Sequence, residues 1–258
     1  MIISGIIDNI FIQIFYYILL SLIVFALTKT YKLQKPGDFK IKIRSSSLWS
    51  IAAIILSFAL IGCIIFLSKN NGLDASNKNL TYSFNSVLQI FFLFVIVFSP
   101  VYIAIRRNRE SLQSIGISRL NLIPSIILAV FLIIIIGCAV FYYKPDLTFA
   151  INSNCFWGLI YFAIIGFGEE IVFRGYLQSR LILWLGKLKG WLISSVIFAL
   201  MHFWQRIFVM NFTPSEALLN IMLLMLPSCF LGFLMLQTNN VVAPGIVHTF
   251  MDWFFLFL

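Results

Sequence analysis

The sequence predicts an all-α protein, a polytopic bundle of about eight membrane-spanning helices. Three observations predict it. Hydrophobic residues fill 61% of the 258 positions, and mean hydropathy is +1.02. Only 10% of residues are charged, against roughly 25% in a soluble domain. The apolar residues fall in runs long enough to cross a bilayer, broken by short polar connections.

The elements follow in order. Ile10 to Leu27 reads as the first span, and Lys29 to Arg44 as a basic loop. Leu48 to Leu67 is the second, with Trp49 as an interface anchor. Lys69 to Tyr82 is a polar loop, and Val87 to Ile105 the third span. Arg106, Arg107, Arg109 and Arg119 mark the next connection, where Glu110 to Ser118 reads as a short surface segment. Leu122 to Tyr143 is the fourth span, ended by Lys144-Pro145-Asp146. Asn154 to Leu177 is the fifth, followed by a turn holding Arg180, Lys187 and Lys189. Trp191 to Phe208 is the sixth. Thr213 before Pro214 is a helix-cap candidate. Ala217 to Leu236 is the seventh span, with a bend expected at Pro227. Pro244 opens a last helix running to Leu258.

Charge gives the expected topology. Thirteen of the 18 Lys and Arg lie in the alternate connections 29–44, 106–119, 180–189 and 237–240. Excess positive charge stays cytoplasmic, so those connections are expected inside and the N-terminus outside. The net charge of +9 is therefore a topology signal and not a nucleic-acid footprint. The first apolar run has no basic residues before it and no small-residue cleavage site after it, so it reads as a retained span. Cys63, Cys138, Cys155 and Cys229 lie in different apolar segments with no CxxC pair, and read as buried small residues. Abundant Ile, Phe, Asn and Lys point to an AT-rich genome, hence a bacterial cell membrane.

Chemistry concentrates in one stretch, Gly166 to Tyr176. Glu169 and Glu170 stand side by side there, with Arg174 beyond. An ionisable residue in a span costs about 2.5–3.5 kcal/mol on insertion scales, so it marks a functional site by default. Glu170 and Arg174 are four apart and share a helix face. Glu169 points about 100° away, free for other work.

The two histidines both lie in apolar segments after the Glu pair. His202 follows Phe198-Ala199-Leu200-Met201, and His248 precedes Thr249-Phe250-Met251-Asp252. At 1.5 Å per residue, Glu169, His202 and Asp252 fall roughly 12–16 Å from one end of their spans. A carboxylate and a histidine on one water can draw off its proton. Another polar pair can hold the oxyanion formed when that water attacks a carbonyl. Zinc held by Glu and two His is the other chemistry open to this set, although the HExxH spacing is absent.

Glu-Glu-x-x-x-Arg at Glu169 to Arg174, Phe-x-x-x-His at Phe198 to His202, and His-x-x-x-Asp at His248 to Asp252 resemble the CPBP intramembrane proteases. That family includes the CAAX prenyl endopeptidases and bacterial proteins linked to bacteriocin immunity and abortive infection. The resemblance covers Asn154 to Trp253. It divides one membrane domain into residues 1–150, without a recognisable motif, and 151–258, with the catalytic helices.

The resemblance implies an endopeptidase acting on a hydrophobic or membrane-bound peptide within the bilayer, with no nucleic-acid partner. Glu169 and His202 would activate the water, His248 and Asp252 would form the oxyanion site, and Glu170 and Arg174 would support it. The glutamate mechanism it favours requires no metal cofactor; if the enzyme is a metalloendopeptidase, the zinc ligands would be Glu169, His202 and His248. Asp252 departs from the Asn of many relatives, which suggests that it orients His248. The alternative functions are a non-catalytic bacteriocin immunity or scaffold protein of the same fold, and a proton-relaying transporter, against which no inverted repeat is found.

Overall fold

The computed structural model describes residues 2–30, 33–34, 41–70, 81–143 and 152–254. Ten α-helices carry the described chain: α1 (Ile2–Thr30), α2 (Ile43–Asn70), α3 (Phe84–Val97), α4 (Ser99–Arg107), α5 (Leu122–Tyr143), α6 (Ser153–Glu170), α7 (Ser179–Leu185), α8 (Lys187–Met201), α9 (Pro214–Thr238) and α10 (Val242–Phe254). Short π-helical stretches at Ile171–Gln178 and Gln205–Val209 join or extend them. The all-helical bundle is as expected. Six helices are long and apolar enough to cross a membrane, or seven if the bent pair α3–α4 is one span. The eighth expected span is α10, which shows 13 residues over the described range.

The boundaries differ from expectation where local chemistry intervenes. The third span is bent by 46° between α3 and α4. Pro100 has no N–H to give the carbonyl of Ile96, and the Ser99 hydroxyl donates to that oxygen instead at 2.8 Å. The fifth span does not stop at Leu177. It runs from Ser153 through the π-helical stretch to Leu185, and Gly186, at φ +86°, makes the turn into α8. Arg180 is thus inside a helix and Lys187 begins the next. Pro244 does not open α10, which starts at Val242 and holds Pro244 in its first turn, where no N–H is needed. α9 continues through Pro227 as one helix. Thr213 does cap it, accepting from the N–H of Glu216 while the Glu216 carboxylate accepts from the N–H of Thr213. The segment Lys144-Pro145-Asp146, half of the 29–44 loop, most of the 69–82 loop, and 255–258 lie outside the described residues.

Alternate connections do meet at one end of the bundle. Asn121 bonds the backbone of Gln34 and the carbonyl of Thr238, and Asn240 donates to the carbonyls of Ser118 and Leu120. Ser47 donates to the carbonyl of Arg180 at 2.9 Å. At the opposite end, the N–H of Tyr82 donates to the Asn154 side chain. Of the four cysteines expected to be buried only Cys155 is; Cys229 is half-buried, and Cys63 and Cys138 are exposed.

Two packings place the functional helices. α6 and α10 approach closely through Gly166, where a Cβ would lie 2.7 Å from Thr249 Oγ1 and 2.8 Å from its backbone nitrogen. Small residues at a crossing let two membrane helices touch backbone to backbone. The Gly186 turn then folds α8 antiparallel to the long fifth span. Phe173 and Phe198 meet across that hairpin with ring centroids 5.2 Å apart. Glu169 and His202 are nearly equidistant from Gly186, so they stand at similar depth.

Candidate active site

A buried polar stripe runs along the fifth span. Glu170, Arg174 and Gln178 recur every four residues, and all are essentially excluded from solvent. α9 runs alongside in matching register. Arg174 donates to the carbonyl and hydroxyl of Ser228, at 3.2 and 3.0 Å, and Gln178 donates to the carbonyl of Gly232 at 3.0 Å. Ser228 in turn donates to the carbonyl of Ser195 on α8. Buried polar groups need such partners, and the stripe therefore locks three helices into one register.

The Glu170 carboxylate is the hub. Its Oε1 lies 3.0 Å from Arg174 Nη1 and 2.9 Å from His248 Nδ1. The Arg174 guanidinium also stacks on Phe198, 4.0 Å from the ring centroid. Glu170 is thus held from its own helix and from α10 at once.

His248 presents its other nitrogen to two more carboxylates. Nε2 is 3.8 Å from Glu169 Oε2 and 3.5 Å from Asp252 Oδ2. Both distances exceed a hydrogen bond, so Nε2 is oriented but not committed. Glu169 Oε2 is buried and accepts from no protein donor. An acceptor in that condition is where a water or a polar substrate group binds.

Five of the six expected residues are therefore brought together: Glu169, Glu170, Arg174, His248 and Asp252. His202 sits beside them rather than among them. Its Nδ1 pairs with the carbonyl of Phe198 at 3.2 Å, and its ring lies 5.1 Å from the Phe198 ring. Phe198 also lies 5.9 Å from His248, centroid to centroid. A carbonyl can only accept, so a neutral His202 carries its proton on Nδ1 and its lone pair on Nε2. The structure thus sets Glu169 beside His248, and among the described residues no contact joins it to His202. Glu169, His202 and His248 do not converge as a ligand set, and among the described residues no three His, Cys, Asp or Glu side chains are gathered to hold one ion.

Residues 150–254 match the family model of the Type II CAAX prenyl endopeptidase Rce1-like proteins. The match begins before α6 and ends at the last residue of α10, so it encloses the whole cluster. This segment belongs to the CPBP/CAAX protease family. The CAAX-protease segment carries every candidate site residue, and its family together with the long apolar helices supports a multi-pass integral membrane protein. No curated protein and no solved structure matches the chain.

A second buried charge cluster braces the CAAX-protease segment against the preceding helices. Arg180 Nε and Nη2 donate to Glu110 Oε2 at 2.9 and 2.7 Å, and Ser46 donates to Glu110 Oε1. Arg180 also donates to the carbonyl and hydroxyl of Ser114. The Glu110 and Arg180 side chains are 2% and 1% exposed, so the 110–118 stretch is a surface segment only at Ser111 to Gln113 and is anchored inward by Glu110 and by the buried Ser114 to Gly116. The signal in the sequence was Glu110 itself, a lone acid following three arginines.

Proposed function

We propose that the chain is an intramembrane endopeptidase that cleaves a peptide bond in a hydrophobic or membrane-bound peptide. The observation that carries this reading is Glu169 Oε2, buried, free of protein donors and beside His248 Nε2, on a carboxylate that has no cation of its own among the described residues, whereas the neighbouring Glu170 is tied through Oε1 to both Arg174 and His248. Within the bilayer, a carboxylate so placed has a chemical role or is a liability.

Glu169 acts as general base on a water. The water oxygen bonds to the scissile carbonyl carbon and its proton passes to Glu169. The tetrahedral oxyanion is stabilised by Nε2–H of His248 in its imidazolium form, since Nδ1–H is already given to the Glu170 carboxylate; Glu170 and Asp252 orient the ring from either side and balance its charge. Collapse breaks the C–N bond, and the proton held by Glu169 goes to the leaving amine. His202, with Nδ1 anchored on Phe198, offers Nε2 as a second polar contact for the water or the new carboxyl group. Glu170 and Arg174 hold His248 and the helix, and do not react. Every step uses side chains of this chain, and no metal is required.

The test is comparative peptidomics of membranes from cells making wild-type protein or Glu169→Ala at matched levels. Peptide products present with wild type and missing with the variant are expected. Identical peptide profiles at equal abundance would remove the catalytic assignment.

A further inference from the structure

The end of the bundle where the basic connections meet holds a pocket of about 450 Å³ lined by Arg106, Arg109 and Glu110. We propose that this pocket binds the phosphate of an anionic phospholipid, which takes its seat between the two arginines.

The charge in the pocket is net positive despite Glu110. Both Glu110 oxygens are turned inward, one to Arg180 and the other to Ser46. Arg106 and Arg109 are exposed, and among the described residues neither forms an ion pair. Arginine's planar fork matches phosphate oxygens in pairs. Arg109 is held at φ +54°, a left-handed conformation. It lies two residues past the end of α4, its N–H bonded to the carbonyl of Arg106 at 3.1 Å, so the two guanidinium-bearing residues stay close.

Depth identifies a lipid rather than a soluble phosphate. Arg107, between the two, stacks over Trp49 at 4.7 Å, and Trp49 is 38% exposed. A partly exposed tryptophan under an arginine marks the headgroup layer. One turn back along α4, Tyr102 and Ile103 are 64% and 59% exposed; they share a face with Arg106. Leu112, just past the pocket, is 60% exposed. The surface is thus cationic at the pocket and apolar below it, which fits a headgroup with its acyl chains. Basic pockets at this level of a membrane bundle take anionic headgroups. The pocket also adjoins the fifth span. Arg180 holds the Glu110 wall, and a Cβ on Gly175 would lie 2.5 Å from the carbonyl of Ile115.

The test uses purified full-length protein and reads lipid binding, so it is independent of proteolysis. Phosphatidylglycerol and phosphatidylcholine are titrated and bound lipid is counted by native mass spectrometry. Wild type is expected to prefer phosphatidylglycerol. The Arg106→Gln/Arg109→Gln variant should lose that preference by on the order of tenfold, with its thermal midpoint in phosphatidylcholine unchanged. Lys187→Gln/Lys189→Gln removes the same charge from the same end and should keep the preference. Equal losses in the two variants would show diffuse attraction and overturn the site. Displacement of the lipid by millimolar inorganic phosphate would overturn its assignment to a lipid.

Discussion

Glu170 Oε1 lies 2.9 Å from His248 Nδ1 and 3.0 Å from Arg174 Nη1. One buried oxygen therefore ties α10 to the fifth span and fixes which nitrogen of His248 faces Glu169. Removing that carboxylate leaves Arg174 as an unpaired charge in the bundle. Glu170→Ala should cost roughly 3–5 kcal/mol and lower both abundance and thermal midpoint, with activity lost alongside. A variant that accumulates and melts like wild type would show that the pair is not structural.

The α6–α10 contact gives a steric test of the same geometry. Gly166→Ala puts a methyl into Thr249, whose backbone is 2.8 Å away. Overpacking of this kind costs about 1–3 kcal/mol. Because α10 must move outward, His248 leaves Glu169 and Glu170. Differential scanning fluorimetry should show a lower midpoint, and cleavage should fall further than the stability loss explains. Unchanged cleavage would mean that α10 tolerates displacement.

Arg180→Ala strands Glu110, which has no other cationic partner among the described residues. A loss of roughly 3–5 kcal/mol is expected. Arg180→Lys should recover only part of it, since an ammonium cannot reproduce the two N–H bonds to Glu110 Oε2. Equal stability of the Lys variant and wild type would contradict the bidentate pairing.

Glu170 and Arg174 were legible because their spacing is local: four residues on a helix meet whatever surrounds them. Glu110 and Arg180 were not, because 70 residues separate them and each looked like part of a charged connection. The fifth span's length was missed for a related reason. Arg180 reads as a loop residue until its partner is known, whereas Gly186 is the true break. The residues that gather around Glu170 are individually visible in the sequence, but that Glu169 stands beside His248, with His202 outside the cluster, depends on how closely α10 approaches α6. Only the Gly166–Thr249 contact reveals that.

The metal question separates two chemistries. Under the mechanism proposed here, prolonged chelation leaves cleavage intact, and His202→Ala loses activity with no change in metal content. Asp252→Asn should keep substantial activity, since an amide can still orient His248 Nε2 from 3.5 Å. Elemental analysis beside the activity assay checks this, and metal and activity lost together in the Asn variant would favour a metal centre.

The most direct measurement is cleavage by purified protein in liposomes, comparing wild type with Glu169→Gln on a membrane peptide drawn from the peptidomic comparison. The glutamine keeps the size of the side chain and removes the base. A normal thermal midpoint, normal peptide binding and cleavage reduced roughly a hundredfold or more are expected. A Glu169→Gln protein that folds, binds and cleaves at the wild-type rate would contradict the role of Glu169 as the base.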